Sequence, residues 1–150
     1  MEYQVERFED VIEEILPLLE AHWREVELYQ DKINFNPDFN QYRLMQDMGL
    51  LHIVTVRDKG LLVGYFVSVM APNIHHKDHT FATNDILYVD KDYRGRMLGA
   101  RMFAFAEKEL KKLGVDVIVI HTKTHMDFKP LLERLGYSHI EQCYGKYIGE

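Results

Sequence analysis

The stretch from Ile86 to Ile120 limits the fold more than any other part of the chain. It opens with a strand-like run ending at Val89 and passes through Arg94-Gly95-Arg96-Met97-Leu98-Gly99-Ala100 into a helix. Leu98, Met102, Phe105, Ala106, Leu110 and Leu113 recur at helical spacing as one apolar stripe, and Gly114 is the terminator. The β-branched run Val115 to Ile120 then predicts a strand buried on both faces and parallel to the strand before the helix. This is a β-α-β unit.

Around it the pattern predicts further elements. A short strand spans about Gln4 to Phe8. Asp10 is placed to cap a helix carrying Ile12, Ile15, Leu19, Trp23 and Val26, which Pro17 should kink or divide. Asn36-Pro37-Asp38 starts a second helix, with Phe39, Tyr42, Met45 and Met48 on one face and Gly49 closing it. Leu51 to Arg57 and Leu61 to Met70 read as a hairpin across Asp58-Lys59-Gly60, and Ala82 to Val89 resumes strand character after a loop from Ala71 to Thr80. Asp127 to Leu135 predicts a short helix, followed by closing strands at Ser138 to Gln142 and Tyr144 to Ile148. The order β, α, α, β, β, β, α, β, α, β, β is α/β: a mixed, mostly antiparallel central sheet flanked by helices.

Composition narrows the function classes. With 150 residues, 47% of them hydrophobic, the chain matches one domain over residues 1–150. A formal charge of −6 argues against a protein that mainly grips nucleic acid phosphates. There is no basic start with a long apolar run and no stretch of membrane-spanning length, so the expectation is a cytoplasmic protein without a membrane partner. The single cysteine, Cys143, has no partner for an internal disulfide and reads as a small apolar filler.

The chemistry sits at the helix start after Val89. Free backbone N–H groups at such a start bind anions, Gly95 and Gly99 allow close approach to a diphosphate, and Arg94 and Arg96 can add charge-assisted hydrogen bonds. The plainer reading is a basic turn before a well-capped helix. The short loop lacks the Lys-Ser/Thr ending of a P-loop and the glycine spacing of a dinucleotide site.

The segment Ile86 to Leu113, ILYVDKDYRGRMLGARMFAFAEKELKKL, resembles the coenzyme A motif of the GNAT superfamily of N-acetyltransferases. That motif runs Arg or Gln, two residues, Gly, one residue, Gly or Ala, with a strand-end Val five residues earlier. Arg94, Gly99 and Val89 match, and Met97 stands at the first glycine. Leu131 to Tyr137, LLERLGY, resembles the family's second signature, aromatic-Glu-Lys-x-Gly-Phe, and short members of this kind occur in tailed bacteriophages. The resemblance implies an acyltransferase moving an acetyl group from acetyl-CoA to a primary amine of a small molecule or protein, with no metal and with a homodimer left open. The alternative is a catalytically weak CoA-binding regulatory or interaction module. The implied acetyl-CoA site comprises Leu87, Tyr88, Val89, Asp90, Lys91, Arg94, Gly95, Arg96, Met97, Leu98, Gly99 and Ala100, the pantetheine arm pairing with the backbone of Val89 to Lys91.

Amide formation requires a neutral amine, hence a base or a water chain. Asp85 stands where polyamine-type relatives carry a glutamate proposed as base, and simple alternation puts it on the face of Leu87 and Val89. The family's acid is a tyrosine in the final helix, where this chain has Leu132. Tyr144 is the replacement put forward, with Tyr147, His121 and His125 as other candidates. Trp23, Tyr29 and Tyr42 are placed to wall an acceptor cleft or to fill the core. His75, His76 and His79 read as a solvated hairpin tip rather than a metal site.

Overall fold

The structure is a computed structural model describing residues 1–150. Five strands form one sheet in the order β1 (Glu2–Glu6), β2 (Leu51–Asp58), β3 (Leu61–Asn73), β4 (His76–Val89) and β5 (Val115–Val119). All pairings are antiparallel except β4 with β5. The β2–β3 turn contains Lys59 and Gly60 at φ 51° and 86°, the left-handed pair that a tight hairpin requires. Strand β3 continues past the expected loop start at Ala71, and β4 begins at His76. A register shift beside Pro72 accommodates the missing N–H donor in that long arm.

Helix α1 (Phe8–Val26) starts two residues before Asp10 and has no side-chain cap. The Phe8 N–H instead donates to Gln46 Oε1 at 2.9 Å. Pro17 does not divide α1: it lies on the exposed face, where the carbonyl left without a donor meets water. Helix α2 (Phe39–Asp47) is capped by Asp38 rather than Asn36, with Oδ1 accepting from the Gln41 N–H at 3.0 Å. Helices α3 (Leu98–Lys112) and α4 (Lys129–Arg134) fall within the expected segments.

The sheet separates two apolar layers. One packs Phe8, Val11, Ile15 and Leu19 of α1 on Leu51, Ile53, Tyr65 and Val67, with α2 supplying Phe39, Tyr42 and Met45. The other packs Leu98, Met102, Phe103 and Ala106 of α3 on Val54, Val56, Val63 and Phe66, with Leu131, Leu132 and Leu135 beside them. Burying a side chain such as Phe66 or Phe103 contributes about 1.5–3 kcal/mol.

Two expectations fail at the β5 side. The strand is not buried on both faces: Asp116 interrupts its apolar run, and both Asp116 and Val117 are exposed. The strands expected at Ser138 to Gln142 and Tyr144 to Ile148 do not form, so β5 is the sheet edge. Ile140 and Ile148 of these segments find no packing surface and are 71% and 87% exposed. The tail instead meets the segment that follows α1, with the Tyr147 ring 6.3 Å from Tyr29 and under the Lys32 ammonium.

Arg57 of β2 ties the opposite edge together. Its guanidinium donates to Glu14 of α1 through both terminal nitrogens at 2.8 Å and to Glu6 of β1 through Nε at 3.1 Å, and it reaches the Gly60 carbonyl at 3.0 Å. Its hydrogen bonds hold the Glu14 carboxyl below the usual carboxylate range. A folded-state value below the unfolded one contributes stability above the unfolded value that disappears as pH falls through the folded one. Arg57→Met should therefore cost about 3 kcal/mol in denaturant unfolding at pH 7, because Glu6 is left largely buried without its cation. The difference from the unsubstituted protein should narrow as pH falls below about 4.

Candidate active site

The β4–β5 ladder is short. It pairs Thr80 to Thr83 with Val115 to Val119, then stops. At the next position the Asn84 side chain replaces the backbone rung, its Oδ1 accepting from the His121 N–H at 2.6 Å and its Nδ2 donating to the His121 carbonyl at 3.1 Å. Beyond this stitch the two chains diverge, and β4 runs on to Val89 without a neighbour on that side. A cleft of about 1120 Å³ occupies the gap, above the ~300–1,000 Å³ typical of small-ligand pockets.

One residue into the gap, β4 bulges. Ser68 pairs with Asn84 and Val67 with Ile86, which leaves Asp85 as the extra residue. The bulge breaks the period of two. Asp85 accepts a hydrogen bond from the Tyr42 hydroxyl of α2, while Leu87 and Val89 pack in the α3 layer. Asp85 thus lies on the opposite face from Leu87 and Val89, contrary to simple alternation. Burial and the nearby Asp85 carboxylate raise the Tyr42 hydroxyl well above its ordinary value, so it stays a donor.

The other end of the cleft is the start of α3. Gly95 and the N-cap Met97 both have left-handed backbone, φ 80° and 60°, and no side chain caps the helix. None of the N–H groups from Gly95 to Ala100 donates to another group of the chain; the first helical bond is Arg101 N–H to Met97 O at 3.1 Å. Successive free amides in such a turn form an anion-binding nest, reinforced by the helix dipole. A Cβ on Gly99 would sit 3.5 Å from Leu131, so the glycine is not required by packing and leaves its amide open to a ligand.

Arg94 is more committed than the sequence implies. Nη1 and Nη2 donate to Glu25 of α1 at 2.6 and 2.9 Å, Nε donates to the Val89 carbonyl at 2.9 Å, and the guanidinium lies 5.3 Å from the Tyr88 ring centre. The hydrogen-bonded guanidinium lowers the Glu25 carboxyl and is itself raised. Its fork joins α1 to the loop before α3.

Of the residues named for acetyl-CoA, Leu87, Tyr88, Val89, Arg94, Gly95, Met97, Leu98, Gly99 and Ala100 line the cleft. Asp90, Lys91 and Arg96 do not. Asp90 caps a 3-10 turn through Asp92 while its own N–H donates to Val63 O, Lys91 begins that turn, and Arg96 sits over the Tyr93 ring. Tyr144 is 86% exposed, bonds to Gln142, and does not line the cleft, although its neighbours Cys143 and Gly145 do. The tail carries it outward because no strand fixes its direction. His121, His125 and Tyr29 line the cleft, Leu132 packs in the α3 layer, and Trp23 packs on Phe35. His75 and His76 are exposed at the tip of the β3–β4 arm, and His79 lies 3.3 Å from Asp116.

Sequence reasoning missed His22 and Tyr65. His22 lines the cleft from α1, its Nδ1 lies 2.9 Å from the Tyr65 hydroxyl, and its ring stacks on Tyr88 at 5.1 Å. Burial lowers the imidazole to about 4, so it is neutral at pH 7. The available signal was a histidine four residues after Leu18 and three after Leu19, both of which turn inward, on a helix already read as amphipathic.

A sequence model of the acetyltransferase (GNAT) family matches residues 11–137. A sequence search of curated proteins finds no match. Among solved structures, the chain is similar to the ribosomal-protein-alanine N-acetyltransferase of Brucella melitensis biovar Abortus 2308, with TM-score 0.73 and 16% identity over 99% of this chain and 100% of that one. It is similar to glucosamine-6-phosphate N-acetyltransferase from Arabidopsis thaliana, with TM-score 0.72 and 14% identity over 99% and 100%. A predicted acetyltransferase from Clostridium acetobutylicum with acetyl-CoA gives TM-score 0.69 and 14% identity over 98% and 96%. The resemblance in fold is thus spread over the whole chain, and the family match includes the splayed strands, the amide nest and the Asp85 bulge: the chain belongs to the acetyltransferase (GNAT) family.

Proposed function

We propose that the chain transfers the acetyl group of acetyl-CoA to a primary amine of a small molecule or protein, with the diphosphate on the amides of Gly95 to Ala100 and the amine presented beside Asp85. The observation that carries this reading is one cleft with an unsatisfied amide nest at one end and a carboxylate at the other. The free amides fit a diphosphate. The unpaired edge of β4 suits the amide-bearing pantetheine arm, and Leu87, Val89, Leu98 and Phe103 supply apolar wall. Asp85 keeps one carboxylate oxygen open beyond its bond from Tyr42, enough to draw an ammonium and take its first proton. Dependence on acetyl-CoA and a lone cysteine support a cytoplasmic setting.

Acetyl-CoA should raise the melting temperature and bind with micromolar affinity by calorimetry, since a ligand specific for the folded state stabilises it by mass action. Absence of heat and of a melting shift at millimolar acetyl-CoA refutes the reading. Gly99→Glu places an anion against the diphosphate and should lower affinity at least ~100-fold, about 2.7 kcal/mol, while the free protein melts close to the parent.

Met97 holds a left-handed conformation that costs a side-chain-bearing residue about 1–2 kcal/mol, partly offset by glycine's larger entropy loss. Met97→Gly should stabilise the free protein by about 0.5 kcal/mol in denaturant unfolding without weakening acetyl-CoA binding.

Asp85→Asn should lower kcat/KM by about 10²–10⁴-fold with acetyl-CoA affinity unchanged, read as thiol release in a panel of amines. The deficit should shrink as pH approaches the acceptor's own pKa, where the amine arrives neutral. A variant with parental kcat/KM from pH 6 to 9 removes Asp85 from the proton path.

A further inference from the structure

Amine acetylation moves two protons, and Asp85 accounts for only the first. Once the neutral amine attacks, the new C–N bond leaves a positive charge on nitrogen and one proton more than the amide will keep. The sulfur departs with its electron pair and needs a proton. A single group able to take the first and give the second serves both needs, and Leu132 stands where the family resemblance would put the acid.

We propose that His22 is this group: Nε2 takes the excess proton from the attached nitrogen and passes it to the departing CoA sulfur. This rests on the acetyl-transfer reading above. His22 lies on the inner face of α1 and lines the cleft that also holds Asp85 and the end of β4. Two contacts hold the ring in one orientation: Tyr65 at Nδ1, 2.9 Å away, and the stacked Tyr88, whose plane is inclined by 22°. Nε2 has no partner in the chain. With Nδ1–H donated to the Tyr65 oxygen, Nε2 carries the lone pair.

The steps balance. Attack forms C–N and moves the carbonyl π pair to oxygen; Nε2 then takes the proton as the N–H bond breaks. The oxygen pair returns, C–S breaks, and the thiolate accepts the proton from Nε2. The amide, the thiol of CoA and a neutral imidazole result.

The surroundings suit both halves of the transfer. Burial holds the imidazole at about 4, with Arg94 and Lys123 acting in the same direction against Glu25 and Glu27; Tyr65 and Tyr88 are the titratable groups packed on the ring. The lone pair is therefore available at pH 7. The imidazolium, disfavoured by burial, is a strong donor to a thiolate.

The test uses acetyl-CoA with two simple nucleophiles at high concentration, n-propylamine, which is cationic at pH 7, and methoxyamine, which is neutral. CoA release is followed for the unsubstituted protein, His22→Phe and Asp85→Asn. His22→Phe keeps the stack on Tyr88 and removes both nitrogens. It should lower kcat about 10²-fold or more with both nucleophiles, leaving KM and acetyl-CoA affinity near parental. Asp85→Asn should be impaired with n-propylamine alone. Should the unpartnered Tyr65 hydroxyl prevent His22→Phe from folding, the double variant His22→Phe with Tyr65→Phe removes it, and the same loss is expected. Parental kcat in His22→Phe, or in the folded double variant, overturns the proposal. An unsubstituted protein that binds acetyl-CoA but transfers to neither nucleophile overturns the acetyl-transfer reading, and His22's role with it.

Discussion

The termination of the β4–β5 ladder at Asn84 is the constraint on which the site depends. A parallel pair that continued to Val89 would close the sheet and leave no cleft. Asn84 uses its amide to satisfy both backbone groups of His121, so the ladder ends without an orphaned donor or acceptor at that point. Past it, β4 is held only by β3, and one of its backbone edges is free for a ligand that carries amides of its own.

The gap joins the two faces of the sheet. From the α3 layer it receives the amide nest and the apolar wall; from the α1 layer it receives His22, Tyr88 and Glu25. The bulge transfers Asp85 from the first face to the second, where Tyr42 meets it. The amide nest and the Asp85 carboxylate thus reach one cleft from opposite faces of the sheet.

Arg94 connects the halves mechanically. Its bidentate bond to Glu25 anchors the end of α1 to the loop before α3, and its stacking on Tyr88 fixes the ring against which His22 lies. With its guanidinium so committed, the polar groups this loop leaves free are backbone amides, whose geometry follows from left-handed Gly95 and Met97 rather than from side-chain charge.

The β-α-β unit, helices α1 to α3 and the glycine-bearing loop before α3 were legible in the sequence, because each depends on local periodicity or on glycines next to a helix start. Arg94, Gly99 and Val89 also carried the family. The closing strands expected at Ser138 to Gln142 and Tyr144 to Ile148 were misleading: a strand forms only against a partner ladder, and none receives them. Tertiary structure alone decided which face Asp85 occupies, since a bulge is a property of pairing between β3 and β4 and leaves no local mark. It alone brought His22 and Tyr88 to one cleft, with Tyr65 behind the His22 ring and Tyr42 bonded to Asp85, because these residues come from two helices and two strands as many as 66 positions apart, and only packing two helices on one face of the sheet brings them together.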